Sequence, residues 1–250
     1  MFDLSPIPLP NLAGRRILVT GAGRGIGAAL ARCLAGQGAQ VFAGVYGEAE
    51  PLDGCTVLPL DVTDAGSVAA ALARVEEAGG LDALVNNAGL IAPIGHVDGL
   101  ATDDLRAAFE VNALGLHRMT CAALPLLRAS GGVVVNAGTG AATTPMEGWA
   151  AYCSSKAAAR MMTLMFAQDL AGGPVQFFFL GIPPTDTVMQ SEIRSAGLNP
   201  ISQIPQADLV PTAVPASVMA WLCGPEARKL DEVLLDVRDD FFKAMMGARP

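Results

Sequence analysis

Two side chains able to move a proton, Tyr152 and Lys156, stand four residues apart in the segment 149–162, WAAYCSSKAAARMM, which is alanine-rich and contains neither Gly nor Pro. Such a segment predicts a helix, and residues four apart on a helix share a face, one turn above the other. An ammonium one turn from a phenol favours the phenolate and draws a pKa of about 10 toward neutrality, which makes the tyrosine a usable proton donor and acceptor. On an ordinary amphipathic helix the same spacing is commonly a buried aromatic beside a solvated lysine. The weight of the pair depends on what else the chain supplies.

A second signal is glycine. Gly21, Gly23, Gly25 and Gly27 fall between an apolar run, ILVT, and an alanine-rich stretch. A strand-to-helix turn of this kind lets the backbone approach a ligand closely and presents the unpaired N–H groups of a helix start, which suits a pyrophosphate. The spacing is T-G-x-x-x-G-x-G, not the strict G-x-G-x-x-G, so by itself it is an incomplete fingerprint.

The elements that must position these groups alternate regularly. Short β-branched runs predict strands at 16–20, 40–45, 56–60, 83–86, 132–136, 175–180 and 232–237. Between them lie helical stretches at 25–37, 67–78, 103–129, 149–171 and 215–223, with a short one at 191–197. This alternation is that of an α/β protein whose parallel sheet is covered on both faces, three layers in all. Four of the apolar runs end in loops of Gly, Asn, Thr or Pro (GAGRGIG, NNAG, NAGTG and GIPPTDT). Ligands of open parallel sheets bind outside the carboxyl ends of the strands, where these loops would gather.

With no internal repeat or linker, residues 1–250 predict a single domain, with an extended arm at 1–12, broken by Pro6, Pro8 and Pro10, and a tail at 238–250. Apolar residues make up 52% of the chain, ample for one core, and the net charge of −8 argues against a nucleic-acid or anionic-membrane partner. Five scattered cysteines without a C-x-x-C read as reduced thiols of a cytoplasmic protein, not as a disulfide frame or a metal site. No apolar run approaches the roughly 20 residues that span a bilayer, so no membrane association is expected.

Taken in order, these motifs resemble the classical short-chain dehydrogenases/reductases. TGAGRGIG at 20–27 is similar to that family's cofactor loop, DVTD at 61–64 to its adenine-side motif, NNAG at 86–89 to its fourth-strand motif, and YCSSK at 152–156 to its active-site signature. Asn112, in FEVNALG, falls at the family's helix asparagine. The resemblance implies a Rossmann-type doubly wound sheet and hydride transfer between a nicotinamide and a carbonyl or alcohol. It assigns Tyr152 as acid/base, Lys156 to the tyrosine and the nicotinamide ribose, Asn112 to a proton-relay water, and Thr139 to the place of the family's serine. Gly21, Gly23, Arg24, Gly25, Ile26 and Gly27, with Asp61, Val62, Asn87, Ala88, Gly89, Thr185 and Thr187, would hold the dinucleotide. A homo-oligomer, dimer or tetramer, is also implied.

The chain departs from the pattern in four places. Thr139 replaces serine, Gly181-Ile182-Pro183-Pro184 replaces the usual Pro-Gly, residues 46–55 are too few for the usual helix, and the last strand ends in DVRDDFF. The second strand ends in Val45, Tyr46 and Gly47 without the acid that would select a ribose 2′-hydroxyl, and Arg24 is placed for a 2′-phosphate, so NADP(H) is favoured, with NAD(H) through Glu48 as the alternative. The stretches expected to face substrate carry Ile91, Ile94, Met146, Trp149, Met189 and Ile193, with Arg194 their only fixed positive charge. An uncharged, fairly apolar carbonyl or alcohol is therefore expected, since a carboxylate buried against such walls would cost several kcal/mol. A competing expectation is a dinucleotide-sensing or scaffold protein that keeps the fold with weakened catalysis.

Overall fold

A computed structural model describes residues 3–247 of the chain. Seven strands, β1 (Arg16–Thr20), β2 (Gln40–Val45), β3 (Cys55–Pro59), β4 (Ala83–Asn86), β5 (Val133–Thr139), β6 (Gln176–Ile182) and β7 (Leu234–Asp236), pair in the order β3-β2-β1-β4-β5-β6-β7. Every pairing is parallel. The order reverses between β1 and β4, which is where a Rossmann-type sheet opens its ligand crevice.

The period-two alternation of the strands divides the core. Ile17 and Val19 of β1 face one apolar layer while Leu18 faces the other. The first layer is closed by α1 (Gly25–Gly36), α7 (Ala213–Leu222) and α8 (Asp240–Met246). The second is closed by α2 (Ala65–Glu77), α4 (Leu116–Ser130) and the far end of α5 (Ala150–Asp169). Two further helices are α3 (Arg106–Phe109), which packs against α5, and α6 (Val188–Ala196), which packs against the turn Pro200–Gln203.

The departures from the sequence reading are instructive. No helix forms between β2 and β3, as the shortness of that stretch required. The long helix expected at 103–129 is broken: a 3₁₀ turn leads into α3, and Glu110–Gly115 winds as a π-helix before α4 begins. Wide-turn bulges of this kind are frequent at functional sites, and this one holds Asn112. Residues 3–12 form no regular element, and Ile7 and Leu12 of this arm are buried in the first core layer. The tail carries a helix the sequence reading lacked, α8, whose Phe242 is fully buried and packs edge-on against Trp221. Residues 1–2 and 248–250 lie outside the described chain.

Candidate active site

The glycine loop is held from both sides by close packing. Gly21 has φ +63°, and a Cβ there would stand 2.7 Å from Ala88 Cα; at Gly27 one would collide with the Gly21 carbonyl and the Asn87 amide. Asn87 Nδ2 donates to the carbonyls of Thr20 and Gly21, 3.1 Å each, and Thr20 Oγ1 accepts from the backbone N–H of Asn87 (3.0 Å) and Ala88 (3.1 Å). Loops after β1 and β4 are thereby one unit. Thr20, buried and opening the TGAGRGIG motif, positions both loops without having been singled out from the sequence; its signal was its place at the carboxyl end of an apolar run.

Beyond this unit, Arg24 caps α1 with extended backbone and no side-chain bond to the helix, and its side chain is exposed. Glu50 takes that position instead: its carboxylate accepts from Gly25 N at 3.3 Å and from Arg32 Nη1 at 3.1 Å. Glu50, not Glu48, is thus the acid whose side chain reaches the start of α1. Glu48 passes with its backbone carbonyl against Gly23. Asp61 uses one oxygen to accept from Thr63 N and Oγ1, while Val62 is buried and its carbonyl accepts from Arg118 at 2.6 Å. On the other side of the crevice Thr187 caps α6 beside Gly25; its hydroxyl donates to Thr185 O, and that of Thr185 donates to Pro183 O. Pro184 O accepts from Val210 N, so the altered segment after β6 is fixed to the chain that follows α6.

The proton-moving groups meet at the carboxyl ends of β4 and β5. Tyr152 and Lys156 share one face of α5, and both are buried. Lys156 Nζ donates to Ala137 O at 3.0 Å and lies 5.9 Å from the centre of the Tyr152 ring. Gly89 borders it: a Cβ there would be 3.7 Å from Nζ. Thr139 ends β5, its Oγ1 accepting from Ala141 N at 3.2 Å.

Asn112 is buried and its amide is fully engaged. Oδ1 accepts from Leu90 N, and Nδ2 donates to Leu90 O and to Ser155 Oγ, all at 2.8–2.9 Å. Ser155 Oγ in turn donates to Tyr152 O. The Asn112 side chain thus joins the β4 loop to α5.

The ionisation differs from the sequence reading. Burial pushes the Tyr152 phenol up to about 12; the Thr139 hydroxyl opposes this, although the two do not make a formed hydrogen bond, and the Cys153 thiol adds to it. Burial also brings Lys156 down to about 8. Desolvation of both groups outweighs the electrostatic help expected from their one-turn spacing.

The expected substrate-facing side chains do assemble. Ile91, Trp149 and Ile193 are buried with Tyr152 in one apolar cluster, and Ile94, Met146 and Met189 pack against it. Trp149 meets Tyr152 edge-on, ring centres 5.7 Å apart. Arg194 lies outside the cluster, turned toward Ile204 O.

Comparison with known proteins accords with this geometry. The model of the short chain dehydrogenase family matches residues 15–197. The chain belongs to the short chain dehydrogenase family and is an NAD(P)-dependent oxidoreductase. It is 34% identical to 2,3-dihydro-2,3-dihydroxybenzoate dehydrogenase of Bacillus subtilis, covering 72% of this chain and 73% of that one. To benzil reductase ((S)-benzoin forming) of Saccharomyces cerevisiae it is 30% identical over 84% and 90%. Among solved structures, a short chain dehydrogenase from Burkholderia cenocepacia in complex with NADP superposes with a TM-score of 0.76 at 31% identity, covering 91% and 97%. The 3-ketoacyl-(acyl-carrier-protein) reductase of Brucella melitensis, complexed with NADH, gives 0.77 at 26%, covering 90% and 97%.

The residues present fit a nicotinamide dinucleotide. The start of α1 has no side-chain cap of its own, and an anion, the Glu50 carboxylate, already accepts from its first N–H. Among the described residues no group of acids, histidines or cysteines could hold a metal, and no helix is long and apolar enough to cross a membrane.

Proposed function

We propose that the chain reduces an uncharged, fairly apolar ketone with NADP(H), Tyr152 delivering the proton. When bound, the reduced nicotinamide supplies a hydride to the carbonyl carbon. The chain's part is to place the carbonyl oxygen against the phenol, donate the Tyr152 proton to it as charge develops, and exclude water with the apolar cluster around it. Thr139 offers a second hydroxyl to the same oxygen. Lys156 beside Gly89 serves the ribose and, when charged, stabilises the phenolate left after donation.

The observation that carries this reading is the Tyr152 phenol, buried among Ile91, Trp149 and Ile193 and pushed up to about 12. A buried phenol that keeps its proton can donate it to a carbonyl oxygen. Gly21 to Gly27 with Asn87 to Gly89 would hold the phosphates and ribose, Asp61 and Val62 the adenine, and Thr185 and Thr187 the nicotinamide side. The preference for NADP(H) rests on the exposed Arg24 at the α1 cap and on the absence of an acid in Val45–Gly47. A second reading, NAD(H), draws on one observation, the Glu50 carboxylate at Gly25 N.

A homo-oligomer is proposed through exposed apolar side chains: Leu114, beside a depression lined by His117, Arg118 and Cys121, and Met161 and Met165, one turn apart on α5. Sedimentation of the wild type and of Met161→Glu tests it; a wild-type monomer overturns it.

The deciding experiment is NADPH oxidation with a panel of aryl ketones and 2-oxo acids. Turnover is expected with the first group only. Efficient turnover of a 2-oxo acid would reverse the reading of the pocket.

A further inference from the structure

Trp149 carries a polar atom that its surroundings do not use. The indole Nε1 is buried and has no hydrogen-bond partner. The residue is 5% exposed, and its position is fixed by the backbone: it caps α5, bridges to Gly95, and its carbonyl accepts from Cys153 N at 2.8 Å. A buried indole N–H ordinarily finds an acceptor, and leaving one unpaired is destabilising. A smaller apolar ring such as phenylalanine would pack among Ile91, Ile193 and the Tyr152 ring with no donor to leave unpaired. The described residues hold three other orphaned side-chain atoms, Arg15 Nε, Asn86 Oδ1 and Gln176 Oε1, and none belongs to this cluster.

Resting on the ketone-reductase reading above, we propose that Trp149 Nε1–H is a second donor to the substrate. The substrate is then an uncharged carbonyl compound with another oxygen acceptor close to the reacting carbonyl, a 1,2-diketone or a related oxygenated ketone. Tyr152 takes the reacting oxygen, and Trp149, in edge contact with it, takes the other. The side chains that make room are the half-buried thioethers of Met146 and Met189, unbranched and able to change rotamer. A site built to donate to such an oxygen discriminates against an analogue lacking it, because the donor is then left unpaired. A purely apolar pocket would not make that distinction.

The chain has two tryptophans, so its indole N–H resonances are assignable with Trp149→Phe alone. In ¹⁵N-labelled full-length protein saturated with NADP⁺, benzil should move the Trp149 indole proton downfield. Deoxybenzoin, in which one carbonyl is replaced by methylene, should leave it in place. In kinetics with NADPH, Trp149→Phe should lose about tenfold more in kcat/KM for benzil than for deoxybenzoin. An indole proton unmoved by benzil, or equal losses for the two ketones, overturns the proposal. If the wild type reduces neither ketone but benzil still moves the indole proton, the donor role stands and the ketone-reductase reading falls.

Discussion

Two sets of polar side chains are buried in this protein, one inside the sheet's second layer and one at its carboxyl edge, and they are treated in opposite ways. In the first, Asn86 and Asn136 face each other across β4 and β5; Asn86 Nδ2 donates to Asn136 Oδ1 and Thr120 Oγ1, Asn136 Nδ2 to Thr163 Oγ1, and Thr163 Oγ1 to Ala159 O. Only Asn86 Oδ1 lacks a partner. In the second, Tyr152 and Trp149 are buried without a formed hydrogen bond, and Lys156 has a single carbonyl. A satisfied network specifies a core, whereas groups buried with spare capacity carry shifted ionisation and free donors. The difference separates what holds this fold from what it is built to do.

The largest test of that division is Tyr152→Phe. We expect kcat for the best ketone to fall about 10³-fold or more while dinucleotide affinity by titration stays within a fewfold of wild type. Near-native turnover would remove Tyr152 from the proton transfer. Next comes Thr139→Val, expected to lose about 10²-fold in kcat, with Thr139→Ser keeping most of it; a fully active valine variant would make Thr139 a packing residue.

On the other side of the comparison, Asn136→Ala should leave kcat near wild type but cost about 2–4 kcal/mol in urea unfolding, since it orphans donors and acceptors in the satisfied network. An intact stability with lost activity would invert the division.

Smaller and confined to alkaline pH is the contribution of Lys156. Its folded pKa of about 8 lies below the ordinary 10.5, so the unfolded chain binds the extra proton, and stability should rise with pH between those values and be lost as pH falls through 8. Tyr152, shifted upward, contributes in the opposite sense and only above about pH 10. Lys156→Met should flatten the rise; an unchanged slope would show that the lysine is not desolvated. Smallest of all, Arg24→Ala should weaken NADPH binding by about tenfold or less and leave NADH unaffected; equal losses for both would end its assignment to a 2′-phosphate.

Local chemistry was legible in the chain, and long-range partnership was not. Strands β1, β2 and β4 lie where their β-branched runs place them, and the cluster of Ile91, Met146, Trp149 and Met189 around Tyr152 follows from loops that all leave one edge of a sheet. The ionisation of Tyr152 did not follow from its four-residue spacing to Lys156, because its burial depends on Ile91 and Ile193, distant in sequence, as well as on neighbouring Trp149. The π-helix at Asn112 escaped helical propensity for a similar reason: its amide answers to Leu90 and Ser155 on other elements. Glu50 carried no local signal, because its partner Gly25 N lies 25 residues away, and α8 was masked by the charges of DVRDDFF that precede its buried Phe242.

Near the start of the described chain, Ser5 Oγ donates to Met246 O, 241 residues away, and Ile7 N donates to Ser217 Oγ. The first core layer therefore waits for the last helix to be made. During synthesis the dinucleotide loop, α2 and even α5 can form, and Leu12 N can already donate to Gln37 O, while residues 3–9 still lack α7 and α8, so apolar Ile7 stays uncovered longest although it is made early. A ribosome paused before α8 would carry a nearly complete sheet with an open flank, and that flank is where a chaperone holding the nascent chain would find its grip.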